Sequence, residues 1–341
     1  LFFRFSKAPH LFREEILSLP HDAFAYPIIL DEIQKIPALL DEVHWLIENT
    51  SAAFVLCGSS ARKLKRGAAN LLGGRAWRYA FFSLVYPEVP DYDLLRVFTH
   101  GLIPNHYLSS QPLKSINAYI QDYLKEEIQA EGLVRNLPAF SRFLDSLRFC
   151  HGELLNYANI ARDCGVDAKT VKEYFQILVD TLIGYTLEPF VTRGGRQIIS
   201  ATPKFYLFDV GVANRLCKRK IGDLKGEDAG RSLEHLILLE LVGFRGLQDM
   251  DFDIRFWRTK TGLEVDFILG DSEVAIEVKI STSVSRKDLR GLLAFHDEFP
   301  SAKLIVISQD ERPRKIIIQN GHIDVLPWRV FLERLWKMKI I

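Results

Sequence analysis

The sequence predicts a multidomain α/β protein, and three observations lead there. Near the N-terminus, two short apolar runs flank a segment with helical spacing. In the middle, two helical segments around a glycine are followed by two strands and a Gly-Gly turn. Towards the C-terminus, two apolar strands carry acids within them, in the spacing D-x10-E-x-K that runs from Asp266 through Glu277 to Lys279. At 341 residues, 48% hydrophobic and 26% charged, the chain is long enough for two or three domains, each with its own core.

Residues 26–30 are apolar and β-prone, and Asp31-Glu32 follows them. Residues 53–57 form a second apolar run that leads into Gly58-Ser59-Ser60. Between the two, Leu39, Leu40, Val43, Leu46 and Ile47 recur at helical spacing. Strand, helix and strand make the unit of a parallel sheet. Residues 61–66 read as a short basic helix, and Gly73-Gly74-Arg75 ends the next one. Pro87, Pro90, Gly101 and Pro104 are breakers, which set a first domain at 1–104.

Residues 115–146 are expected to be helical throughout. Residues 154–166 and 167–175 then form two helices around Gly165, with Asp167 as N-cap of the second. Strands at 186–192 and 204–208, joined across Gly194-Gly195, would form a wing. Residues 149–216 thus read as a winged helix within a second domain at 105–220. A polar linker at 216–228 precedes a third domain, 221–341. Its expected elements are a helix at 231–242, strands at 263–269 and 274–280, a helix at 286–298, strands at 304–308 and 323–325, and a closing helix at 328–337.

The net charge of +1 gives no global basic field, so any nucleic-acid contact has to come from a local patch. The four cysteines are scattered without a C-x-x-C pair, which argues against a disulfide framework or a thiolate metal site and fits a reducing cytoplasm. No run is long enough to span a bilayer and no signal-peptide pattern opens the chain, so no membrane is expected. The first residue is Leu1, which is expected to mark a fragment or a non-standard start.

Four apolar residues before Asp31-Glu32 match a Walker B strand. Asp31 would hold Mg²⁺ and Glu32 would polarise the attacking water; the plain alternative is a strand that simply ends in two acids. Ser59 or Ser60 would sense a γ-phosphate, or else cap a helix. Arg75 would act as an arginine finger, or else be a solvated Arg after a helix end. No G-x-x-x-x-G-K-[S/T] loop occurs in the sequence, so ATP and Mg²⁺ binding is expected only of a longer parent. On the second helix of the helix-turn-helix, Lys169, Thr170, Lys172 and Gln176 would face DNA. Asp167, Glu173 and Asp180 interleave with them, as on a protein-docking module.

The D-x10-E-x-K set is the most specific pattern. A carboxylate inside an apolar strand is costly unless it meets a cation. Asp266 and Glu277 would hold Mg²⁺ or Mn²⁺, Glu234 would add a helix carboxylate, and Lys279 would orient or stabilise the attacking water. Glu264 is expected to face solvent. The bland alternative is an exposed sheet face with a Glu–Lys pair.

Several motifs recur together in order: Ile29-Leu-Asp31-Glu32-Ile-Gln-Lys-Ile-Pro37, Cys57-Gly-Ser-Ser-Ala61-Arg-Lys-Leu64, Leu72-Gly-Gly-Arg75-Ala, Tyr123-Leu-Lys-Glu-Glu-Ile128, Val134-Arg-Asn-Leu-Pro138, Phe208-Asp-Val-Gly211, and Glu264-Val-Asp266-Phe with Ile276-Glu-Val-Lys279. The chain resembles, over nearly its whole length, the prokaryotic AAA-type ATPases fused to a C-terminal domain of unknown function. The resemblance implies a partial P-loop/AAA-type parallel sheet, a helical winged-helix middle and a restriction-endonuclease-like C-terminal α/β domain. It places Asp31 and Glu32 at the Walker B site, Ser59 or Ser60 as sensor, Arg75 as a finger acting in trans within an oligomer, and Asp266, Glu277 and Lys279 at the endonuclease-like positions. The function expected is that of an ATPase-family protein by descent, acting with nucleic acid, with ATP binding impaired here by the absent phosphate loop. The alternatives are a metal-dependent nuclease and a non-catalytic DNA- or protein-binding module.

Overall fold

In the computed structural model, residues 2–58, 76–123, 134, 136–191 and 202–341 are described. The chain divides into two compact units: residues 1–79 with 177–183, and residues 80–176 with 184–341.

The first unit begins with α1 (Phe2–Lys7) and α2 (His10–Leu17). It continues through β1 (Ile28–Leu30), α3 (Leu39–Asn49) and β2 (Phe54–Leu56). The expected strand–helix–strand is present, and β1 and β2 pair in parallel from Ile28↔Phe54 to Leu30↔Leu56. In α3 the buried residues are Leu39, Leu40, Val43 and Leu46, the stripe that a 3.6-residue period puts on one face. They share a core with Phe12 and Ile16 of α2. Asp41 and Glu42 in the first turn favour the positive end of the helix dipole. At the other end, the Thr50 hydroxyl donates to Leu46 O at 2.7 Å. Ser59, Ser60, the expected helix at 61–66 and Arg75 lie outside the described residues.

The second unit opens with α4 (Leu94–His100), α5 (Pro104–Tyr107) and α6 (Pro112–Ala118). The single helix expected at 115–146 is not continuous. After α6 the chain makes a π-type turn at Tyr119–Tyr123, and α7 (Leu137–Cys150) starts afresh. Asn136 Oδ1 accepts the Ala139 N–H at 3.1 Å and Pro138 stands in the first turn; both features begin a helix rather than continue one.

The helix-turn-helix consists of α8 (Tyr157–Cys164) and α9 (Ala168–Asp180). Gly165 ends α8 with φ +68°, the left-handed cap that glycine adopts without strain. Asp167 Oδ1 accepts the Thr170 N–H at 2.7 Å, as an N-cap does. The following strands, β3 (Gly184–Pro189) and β4 (Lys204–Leu207), pair antiparallel as expected. However, β3 also pairs in parallel with β5 through Glu188↔Arg255 and Pro189↔Phe256. The hairpin is therefore the edge of a larger sheet, and the turn expected to tip it lies outside the described residues.

That sheet has eight strands in the order β4-β3-β5-β6-β7-β8-β10-β9. The strands not yet placed are β5 (Ile254–Arg258), β6 (Glu264–Leu269), β7 (Val274–Val278), β8 (Lys303–Ser308), β9 (Arg314–Ile318) and β10 (Gly321–Pro327). Ahead of them in the chain come α10 (Val210–Leu216) and α11 (Gly226–Leu247). Between β7 and β8 lies α12 (Arg290–Glu298), and α13 (Trp328–Trp336) closes the chain. One core joins α11 and α13 to Phe267, Ile276 and Ile305 of the sheet. A second joins α12 to Trp257, Val265, Ile268 and Val306. Helices on both faces of a mixed sheet explain why the central strands are apolar throughout rather than alternating.

Candidate functional site

Strands β6 and β7 run antiparallel through Phe267↔Ile276 and Leu269↔Val274. Extending that register by one residue sets Asp266 opposite Glu277. A bulge occurs at this point. The β5–β6 register passes from Arg255↔Ile268 to Trp257↔Val265, so Asp266 and Phe267 together face the single residue Phe256. Bulges re-aim side chains and are common beside active sites. Here the bulge lets Val265 and Ile268, three residues apart, enter the same α12-side core, while Phe267 enters the other.

Asp266 and Glu277 are both buried, 9% and 7% exposed, as their apolar neighbours imply. Asp266 Oδ2 accepts the Val278 N–H at 2.7 Å. Glu277 Oε1 accepts from Lys279 Nζ at 2.5 Å. Glu277 Oε2 is buried and has no hydrogen-bond partner among the described residues. Burial pushes the Glu277 carboxyl up to about 7, against the opposing pull of Lys279. Burial, then Glu277 and Glu234, hold Asp266 well above the ordinary carboxylate range. For Lys279 burial acts downward, and Glu277 and Asp266 outweigh it, so the ammonium is held above its usual value.

Glu234, on α11, accepts from Tyr206 Oη at 2.5 Å and from Lys204 Nζ at 3.4 Å. The same ammonium pairs with Glu264 at 2.5 Å, and Arg258 Nη1 donates to Glu264 at 2.6 Å. Glu264 is thus held in two ion pairs and is half-buried, where a solvent-facing acid was expected; the bulge and the Lys204 partner, which strict alternation does not reveal, account for the difference. Lys204 is 4% exposed. Its burial acts downward, and Glu234, Tyr206 and Glu264 reverse the effect and keep it protonated. Beside it lies a pocket of about 220 Å³ lined by His151, Tyr206, Arg219, Arg231 and Arg258 together with the acids. The sequence reading passed over Lys204, Tyr206 and Arg258. The available signal was a lysine opening the apolar run Lys204–Leu207, where a charge has to be paired.

Among the described residues, no three or more His, Cys, Asp or Glu side chains are arranged to hold a metal ion. What fits one is narrower: two adjacent carboxylates, one with a free buried oxygen. Mg²⁺ accepts such a site, because it keeps several waters and takes one or two protein carboxylates.

The other expected residues are not members of this cluster. Asp31 and Glu32 follow β1 directly. Asp31 Oδ1 accepts the Glu32 N–H at 3.0 Å, and Glu32, at φ +55°, accepts from Gln34 at 2.7 Å and Lys35 at 3.3 Å. Lys169, Lys172 and Gln176 are exposed along one side of α9, with Thr170 half-buried. Glu173 is exposed among them, and Lys172 sits over the Tyr157 ring at 5.1 Å.

Three family models match successive stretches of the chain. Residues 3–89 match an AAA domain, residues 92–223 a domain of unknown function (DUF8612), and residues 229–331 another (DUF4143). An AAA domain followed by a C-terminal domain of unknown function is the arrangement that the motifs resemble, and the AAA match gives the N-terminal stretch an ATPase lineage. The chain is similar to an uncharacterized protein of Mycobacterium bovis and to one of Mycobacterium tuberculosis. Each is 25% identical over 321 residues, which cover 88% of this chain and 71% of the relative. No solved structure matches the chain. Among the described residues, no helix is long and apolar enough to cross a membrane.

Proposed function

We propose that this ATPase-lineage chain acts on nucleic acid, and that Asp266, Glu277 and Lys279 form a divalent-metal phosphodiesterase centre in an endonuclease-like C-terminal domain. The observation that carries this reading is the unsatisfied Glu277 Oε2, buried beside a second carboxylate. A buried acceptor without a donor costs stability, and a cation there would relieve both the orphaned oxygen and the repulsion between the acids. Asp266 and Glu277 would hold Mg²⁺ or Mn²⁺. When bound, such an ion supplies Lewis-acid stabilisation of phosphoryl oxygens and acidifies water. Lys279, anchored on Glu277, would orient the attacking water and stabilise negative charge as it develops on the phosphate. Glu234 stands one step back, positioned by Tyr206 and Lys204.

For ATP, the Walker B acids stand at a strand end, but the sequence holds no phosphate-cradling loop to set against them.

The test is incubation of single- and double-stranded DNA and RNA with the full chain and Mg²⁺ or Mn²⁺, beside an Asp266→Asn control. Cleavage should fall at least ~100-fold in the control, the scale on which general acid–base and metal contributions act. Cleavage that survives Asp266→Asn would assign the activity elsewhere. A second reading, a non-catalytic nucleic-acid- or protein-binding module, draws on Lys204, whose ammonium already pairs with two of the cluster's acids. Absence of cleavage with either metal would favour it.

A further inference from the structure

We infer that the basic cavity beside α10 is a track for single-stranded nucleic acid, leading its backbone towards the pocket of Glu234 and Glu264. The inference rests on the nucleic-acid reading above and names the surface that serves it. The cavity, about 560 Å³, is lined by Arg148, Arg215, Lys218, Arg219 and Lys220, with Asp145 as the one acid among the described residues of its wall. The whole chain carries a net charge of only +1, so this wall is a local concentration of positive charge. That is the footprint a phosphodiester backbone requires.

Two features give the track a direction and a kind of strand. Arg219 lines both this cavity and the smaller pocket that holds Lys204, Arg231, Arg258, Glu234 and Glu264. Its own hydrogen bonds go to neutral groups, Asn214 Oδ1 at 3.0 Å and His151 Nδ1 at 3.4 Å, and it has no ion pair among the described residues. Arg215 likewise donates to a neutral partner, Asn117 Oδ1, at 2.6 Å. Among the described residues neither guanidinium has an ion pair to break before it donates to a phosphate. Beside them, Arg148 lies 4.4 Å from the centre of the Phe149 ring, and Phe149 is 71% exposed. An exposed aromatic face next to a basic groove is what single-stranded binders use to stack bases. The outer side of α9, by contrast, mixes Lys169 and Lys172 with Asp167 and Glu173.

The test is fluorescence anisotropy of labelled single-stranded DNA and RNA with the full chain in EDTA, across a salt series. The variants are Arg215→Gln with Lys218→Gln, the same pair changed to Glu, Phe149→Ala, and Lys169→Gln with Lys172→Gln. Circular dichroism checks that each variant is folded. The cavity variants should weaken binding ~10-fold or more, and the Gln pair should lower the salt slope by roughly one to two. Phe149→Ala should weaken binding without changing that slope, and the α9 pair should stay within about twofold of the parent. Parent-like binding by folded cavity variants, or loss of binding only in the α9 pair, would overturn the inference, as would a chain that binds no single strand at low salt. Because EDTA separates binding from cleavage, binding through the cavity by a chain that never cleaves would sink the phosphodiesterase reading alone. Cleavage that the cavity variants leave unchanged would sink the track alone.

Discussion

At the scale of single residues, buried charge is the most informative feature of this molecule. Asp266 and Glu277 were legible in the sequence because each interrupts an apolar strand. Lys204 was not, because its partners Glu234 and Glu264 are distant in sequence and only the fold brings them together. Glu240 is a third case and has a structural role. Its carboxylate accepts from Tyr86 N–H at 2.9 Å, Tyr92 Oη at 3.2 Å and Trp336 Nε1 at 2.8 Å. Burial still outweighs these bonds and raises its pKa from 4.5 to about 7. A carboxyl raised on folding stays protonated in the native state while the unfolded chain ionises. Its contribution to stability therefore falls as pH rises from about 4.5 to 7 and levels off above. The shift corresponds to a loss on the order of 3 kcal/mol. Urea unfolding of the parent and of Glu240→Gln at pH 5 and pH 8 should show the parent losing more stability between the two values. Equal pH dependence in both would remove Glu240 as a source of it.

At the scale of elements, one recurring motif has a packing explanation. In Phe208-Asp-Val-Gly211, Asp209 is fully buried. It caps α10 through Val212 N–H at 2.8 Å and accepts Leu102 N–H at 2.6 Å. Gly211 lies against the end of α4, where an added Cβ would stand 2.3 Å from Gly101 N and 2.6 Å from Gly101 Cα. Gly211→Ala should therefore cost roughly 3 kcal/mol, the upper part of the overpacking range, because backbone cannot swing aside. Gly222→Ala, where an added Cβ meets nothing within 4 Å, is the neutral control. Similar denaturation midpoints for the two would refute the close-packing explanation. The hairpin β3–β4 illustrates the limit of local reading. Its antiparallel pairing follows from its own residues, whereas its attachment to β5 depends on a strand some fifty positions later, and β5 and β9, whose apolar residues are mixed with two basic ones each, were not picked out. The bulge at Asp266 was equally invisible, since it is a property of two strands in register.

At the scale of the whole molecule, the order of parts was legible: a strand–helix–strand unit, a helix-turn-helix, and an α/β body carrying D-x10-E-x-K. The parallel β1–β2 pair leaves Ile29 66% and Val55 43% exposed, opposite each other in register, a reminder that a parallel strand pair usually has both faces covered. The acids of that unit and the acids of the large sheet belong to separate compact units, and the chemistry proposed above needs only the second. Its central claim, that Asp266 and Glu277 are a cation site, is tested most directly by Mn²⁺ binding to the full chain, followed by electron paramagnetic resonance. One site per chain should be lost in both Asp266→Asn and Glu277→Gln and retained in Asp31→Asn. No binding by the parent, or a site that persists in folded Glu277→Gln, would contradict it.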